Sequence, residues 1–316
     1  MLSRTAENLY WTARYMERAD SMARLLEMGY RMQMIPTADG GLGSEWGSIL
    51  AASGTNAGFV EKYGEPVEHS AVSHLVFDAS NPSSIKSCLT AARNNARAVR
   101  TAVTTEVWEA LNQAYLQFTE LERTARSELT LPRICEWTRG HSAQVRGSFV
   151  NTQLENEGYN FFELGYMLER ADNTARLLDV KYYVLLPTID MVGGGVDSYQ
   201  WTSLLRALSA HRSYHWTYGG EYTPRNIAHF LILNRSCPRA LIHCVNEAED
   251  ALGELADLQG VPSVARQTAG ELLADLKAAD IGEIIEDGLH EFLNDFIRKN
   301  AAISHAIAES YLFGKV

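Results

Sequence analysis

Glu17-Arg18-Ala19-Asp20, followed by Ala23-Arg24-Leu25-Leu26, returns 152 positions later as Glu169-Arg170-Ala171-Asp172, followed by Ala175-Arg176-Leu177-Leu178. Other motifs return in the same order. Pro36-Thr37-Ala38-Asp39 is answered by Pro187-Thr188-Ile189-Asp190, and Trp46-Gly47-Ser48-Ile49-Leu50 by Trp201-Thr202-Ser203-Leu204-Leu205. Leu75-Val76-Phe77-Asp78 before Pro82, with Cys88 beyond, pairs with Leu231-Ile232-Leu233-Asn234 before Pro238, with Cys244 beyond. The offset drifts only from 151 (36 to 187) to 156 (82 to 238), as small loop insertions would produce. The order predicts a tandem duplication, with a first repeat over 1–157 and a second over 158–316, packed as one globular unit.

Outward from these motifs, apolar residues recur at three- and four-residue intervals, and strict alternation over a strand length is hard to find. The expectation is an all-α helical bundle of ten or more helices in two tandem, pseudo-two-fold-related repeats. Helices are expected over 3–34, 44–52, 68–78, from Asn81-Pro82 to about 103, over 105–127 and from Pro132 to about 153. A break at 154–158 marks the junction. The second set is expected over 159–186, 198–218, 224–234, 238–257, 263–279 and 281–312.

Composition sets the chemical class. The chain has 316 residues, of which 46% are hydrophobic and 21% charged, and a formal charge of −11. A chain this long buries roughly three quarters of its unfolded surface. The acidic balance disfavours nucleic acid and anionic membrane as partners and suits basic ones. No signal-peptide region and no membrane span is legible, so the reading is cytoplasmic. Cys88, Cys135, Cys237 and Cys244 lack a Cys-x-x-Cys spacing and read as buried free thiols.

The long helix of each half carries a heptad-like seam. It reads Tyr10, Ala13, Glu17, Asp20, Arg24, Glu27 in the first and Phe162, Gly165, Glu169, Asp172, Arg176, Asp179 in the second. An aromatic and a small residue aligned with charges imply contact with another helix, and Ala13 and Gly165 would permit close approach. The opposite face, Tyr15, Met22 and Leu26, reads as core. If the two helices cross, Glu17 and Glu169 would meet with Arg18, Arg24, Arg170 and Arg176 nearby. Such a pair would serve as acid and base, or hold a divalent cation or an ammonium group, with Asp20, Arg18, Arg24, Asp172, Arg170 and Arg176 binding substrate or partner. The alternative is an ion-pair network that sets helix register. Arg14 and Glu7 align with Tyr166 and Tyr159, and weigh less for that reason.

Leu2-Ser3-Arg4-Thr5-Ala6-Glu7-Asn8-Leu9-Tyr10-Trp11, the run ending at Asp20, and Phe230-Leu231-Ile232-Leu233-Asn234 leading to Pro238-Arg239 together resemble the bacterial alpha-E domain family. The resemblance covers essentially the whole chain and implies an all-helical fold. It also implies an association with a circularly permuted ATP-grasp ligase and a transglutaminase-like protein in amide or peptide ligation. It supplies no established catalytic residue, so Glu17 and Glu169 enter as the glutamates that match the signature helix. The expected role is an accessory protein that docks with the ligase and binds a peptide or amino substrate; the alternative is an enzyme using the Glu17/Glu169 pair.

Other constellations are weaker. His211 and His215 lie four apart, but no Glu-x-x-His or His-Glu-x-x-His pattern accompanies them, and His141 stands alone. The glycines at 40–43 and 193–195 fit no phosphate-binding pattern and read as turns or docking loops. No nucleophile elbow is visible. No protein-ligated metal and no cofactor is expected beyond the divalent cation that the glutamate pair would accommodate.

Overall fold

The computed structural model describes residues 1–34, 44–124, 130–184, 195–260 and 263–314. The prolines at 36 and 187 and the glycine runs at 40–43 and 193–194 lie outside them. Among the described residues there are fifteen α-helices and no strand. In the first half these are α1 (Ser3–Met32), α2 (Ser44–Ala52), α3 (Asn56–Tyr63), α4 (Glu68–Val72), α5 (Ile85–Ala98), α6 (Thr105–Arg123) and α7 (Leu131–Thr152). A π-helical turn, Ser73–Phe77, continues α4. The second half holds α8 (Glu157–Val184), α9 (Gly195–Ala207), α10 (His211–Tyr218), α11 (Pro224–Ile232), α12 (Leu241–Gln259), α13 (Val264–Ala278), α14 (Ile281–Asp287) and α15 (Leu289–Ser310).

Helix starts follow local chemistry. Thr104, Thr223 and Ser263 accept a backbone N–H of the first turn of α6, α11 and α13, and Pro132 sits at the start of α7. Asn156 Oδ1 accepts from the N–H groups of Gly158 and Tyr159, so α8 opens inside the expected junction. Several boundaries depart from the expected ones; α12 starts at Leu241 and not at 238, and α5 ends at Ala98 and not near 103. The cap of α5 is Ser84, which accepts from Ser87 N, while Asn81 instead closes a turn onto Ser83 N and donates to the His74 carbonyl. The helix expected over 198–218 divides at Ser209, whose φ of 57° stops α9. The last helix divides at Gly288, with φ of 117°. The short helix α3 had no counterpart among the expected elements.

One continuous apolar core runs through both halves, from Leu9, Leu25 and Leu26 to Leu252, Phe296 and Ile307. Its two central members are α1 and α8. The first is covered by α5 and α7 and the second by α12 and α15, while α2 and α9 each lie against both. Met22 and Leu26 are core as expected, and Tyr15 is half-buried. Hydrogen bonds recur at positions that the sequence correspondence pairs. Ser142 Oγ donates to the Met16 carbonyl at 3.3 Å, and Asn300 Nδ2 to the Leu168 carbonyl at 3.0 Å. Cys88 Sγ faces the Pro82 carbonyl at 3.8 Å, and Cys244 Sγ the Pro238 carbonyl at 3.7 Å.

Candidate functional site

Side by side, α1 and α8 run in the same direction, because their contacts climb in step. The Met1 ammonium meets Glu157, Tyr10 meets Gly165, and Arg18 meets Glu169. The seam closes tightly at Gly165. A Cβ there would sit 2.2 Å from the Tyr10 carbonyl oxygen and 3.2 Å from Ala13 Cβ, so glycine is the residue that lets the helices touch. One turn further on, the glutamates enter the interface.

Among the described residues, every hydrogen-bond partner of those glutamates is a guanidinium, and the two carboxylates are not hydrogen-bonded to each other. Arg18 donates to Glu169 through Nε at 2.6 Å and Nη2 at 3.0 Å. Arg170 donates to Glu17 through Nε at 3.1 Å and Nη2 at 3.3 Å. Each Glu-Arg dipeptide thus exchanges its arginine for the other's. A second arginine completes each carboxylate: Arg239 Nη1 reaches Glu17 Oε1 at 3.0 Å, and Arg14 Nε reaches Glu169 Oε2 at 2.7 Å. Glu17 is 0% and Glu169 2% exposed. The neighbouring acids keep their own helical partners, Arg24 Nε to Asp20 and Arg176 Nε to Asp172, both at 2.6 Å. Arg239 Nη2 also bridges to Asp20 at 2.8 Å.

The electrostatics follow from this geometry. Burial pushes the Glu169 carboxyl up, but the charges and hydrogen bonds of Arg14 and Arg18 outweigh it and hold the group at about 2. Burial likewise opposes ionisation of Asp20, and Arg24 and Arg239 reverse it, so its pKa lies below the ordinary value. Arg14, Arg18 and Arg170 are raised despite burial, because each faces a carboxylate. Cys88 and Cys244 pack against the two exchanged pairs, and burial pushes both thiols up to about 12. Held at about 2, the Glu169 carboxyl has no proton to give in the neutral range, and a carboxylate saturated by guanidinium donors is a poor cation ligand. Among the described residues, no group of three or more His, Cys, Asp or Glu side chains could hold a metal ion. No helix among them is long and apolar enough to cross a membrane.

All eight residues singled out from the sequence therefore belong to one network or its flanks: Glu17, Glu169, Arg18 and Arg170 at its centre, Asp20 with Arg24 and Asp172 with Arg176 at its ends. Two members were not foreseen as site residues. Arg14, which weighs less in the sequence because its counterpart is Tyr166, is bound to Glu169, Tyr10 and Ser304. Arg239 lies 222 positions from Glu17, and its one signal was its place in the Pro238-Arg239 motif. The paired histidines serve tyrosines or solvent: His211 Nε2 lies 3.0 Å from Tyr222 Oη, and His141 bonds to Gln117.

Comparison with protein families gives a match to Alpha-E, described as a predicted alpha-helical domain with a conserved ER motif, over residues 1–312. Searches of curated proteins and of solved structures return no match.

Proposed function

Because the chain belongs to the Alpha-E family, we propose that it is a helical accessory protein of an ATP-grasp-dependent amide- or peptide-ligating system, in which the Glu-Arg signature fixes architecture and does no chemistry. The observation that carries the architectural half is the reciprocal exchange of arginines, in which both glutamates are buried and fully engaged. Buried ion pairs are weak evidence for net stability but are well suited to fixing register, since a slipped helix would strand charges in the core. The paired hydrogen bonds of α7 and α15 and the equal lengths of α3 and α10 support reading the halves as related tandem repeats. The ligase and transglutaminase-like partners enter through the resemblance, and the charge of −11 favours a basic face on whichever partner docks. Four unpaired, buried cysteines accord with a cytoplasmic setting.

Co-purification with the neighbouring ATP-grasp protein tests the partnership, and Glu17→Gln and Glu169→Gln test the role. The expected outcome is a loss of folding stability with ligation falling only in proportion to folded protein. Abolished ligation by well-folded variants would return the glutamates to a catalytic role.

A further inference from the structure

The same local arrangement is closed at one end of the network and open at the other. Arg24 Nη1 donates to the Ala207 carbonyl at 2.6 Å and to Ser209 Oγ at 3.0 Å, which seals it against the end of α9. Beside it, Glu27 is held by Arg31 at 2.7 Å and by Arg139 at 2.8 Å. Arg176 repeats the bonds of Arg24 to its aspartate, 2.6 Å and 3.3 Å in both cases. Its Nη1, however, has no partner among the described residues. The counterpart of Ser209 is Gly54, which also has positive φ, at 71°, but lacks the hydroxyl; a Cβ there would lie 3.9 Å from that nitrogen. The counterpart of Arg139 is Ile297, in a register fixed by Ser142 and Asn300, and those of Thr202 and Arg206 are Gly47 and Ala51. Smaller residues leave a cavity of about 560 Å3 between α2, α8 and α15, within the usual range for small-ligand sites.

We propose that this cavity binds a free α-amino acid with an apolar side chain. Arg176 Nη1 donates to the ligand carboxylate, and Asp179, which lines the same cavity and lies 2.7 Å from His290 Nδ1, accepts from its ammonium group. Arg176 and Asp179 are three apart on one helix, roughly 5–6 Å between Cβ atoms, which suits two charged groups on a single ligand carbon. Asp172 and Asp179 flank the one guanidinium, so an anion without a positive group is opposed. Ala51, Ala52, Val180 and Ile297 supply the apolar wall. The site is read from geometry alone; only its link to ligation rests on the proposed function.

Calorimetric titration of the full chain with L-leucine, L-isoleucine, L-methionine and L-phenylalanine, each to 10 mM on the order of weak metabolite affinities, tests it. At least one is expected to bind, with L-leucinamide, 4-methylpentanoate and inorganic phosphate at least about tenfold weaker than L-leucine or its best-bound relative. Gly54→Ser, which offers Nη1 an internal hydroxyl as Ser209 does, and Ile297→Arg, which fills the space as Arg139 does, are each expected to weaken binding at least about tenfold while the circular dichroism melt stays two-state. Absence of binding by all four amino acids, equal binding of the amide, the carboxylate or phosphate, or unchanged binding in both folded variants overturns the proposal. Amino-acid binding without any association with the ligase would overturn the partnership and leave this site standing.

Discussion

Glu17 and Glu169 occupy corresponding places, and the two sides of the network complete them differently. On the Glu17 side the second arginine, Arg239, arrives from the loop before α12 and ties Asp20 in as well, leaving the Asp20 and Arg24 side chains 4% and 8% exposed. On the Glu169 side it is Arg14 of α1 itself, anchored by Tyr10 and Ser304, and Asp172 and Arg176 remain 17% and 33% exposed. The exchange of arginines between dipeptides is common to both sides, and the completing arginine is interchangeable in origin. A neighbouring exchange follows the same logic. Arg146 lies over Tyr166 at 4.3 Å in one half, where the other has Ser304 hydrogen-bonded to Arg14. What each half needs is a count of charges; the helix that supplies them is secondary.

That contrast sets the order of expected effects. Arg239→Met removes one arginine from each of two buried carboxylates, leaving Glu17 with Arg170 and Asp20 with Arg24, and Arg14→Met removes one from Glu169 alone, leaving it with Arg18. In urea unfolding the first is expected to approach the lower end of the about 3–5 kcal/mol that breaking a buried pair costs, and the second clearly less. Equal costs would show that the bridge to Asp20 contributes nothing. Glu169 gives the next largest effect, through acid. Its folded pKa is depressed, so its contribution is complete above the unfolded value near 4.5 and is lost as pH falls from there to about 2. Roughly 3 kcal/mol should disappear across that window, and Glu169→Gln should flatten the acid limb of a stability-against-pH curve by a similar amount. An unaltered limb in the variant would mean that another group carries the acid sensitivity.

Gly165→Ala comes third, at about 1–3 kcal/mol, because the added methyl must push α8 away from the Tyr10 carbonyl. Ala13→Gly, on the facing surface, offers the control: it should cost about 1 kcal/mol of helix propensity and leave the network unmoved. Smallest in energy is the thiol test. Cys88 and Cys244, both fully buried and raised to about 12, should resist a disulfide reagent at pH 8 until the chain unfolds. Rapid labelling of one but not the other would reveal that the two sides open independently.

Much of this was legible in the sequence, and the omissions have physical causes. The span of α2 and the start of α1 follow from apolar periodicity, and the seam follows from heptad spacing, because both are local signals. The break at Ser209, just beyond α9, was not legible, since a serine with positive φ is dictated by its surroundings and leaves no mark in composition. Gly288 was a visible breaker, overridden by the apolar pattern on either side. Arg239 belongs to another class again: a residue that completes an ion pair across 222 positions answers to no period. The glutamates were expected to face each other because the motif match gives equivalence, and equivalence does not say which group lies opposite.

One consequence of the exchange concerns the dipeptide itself. Adjacent residues on a helix point about 100° apart, so a Glu-Arg pair is poorly placed to neutralise itself and takes its partners from elsewhere in the chain. Severed at the 153–156 connection, each polypeptide would lose the partners of one buried glutamate and of the two arginines that reach across, Arg14 and Arg18 on one side and Arg170 and Arg239 on the other. Recombination of the fragments in solution, rather than independent survival, is the behaviour such a mutual lock entails.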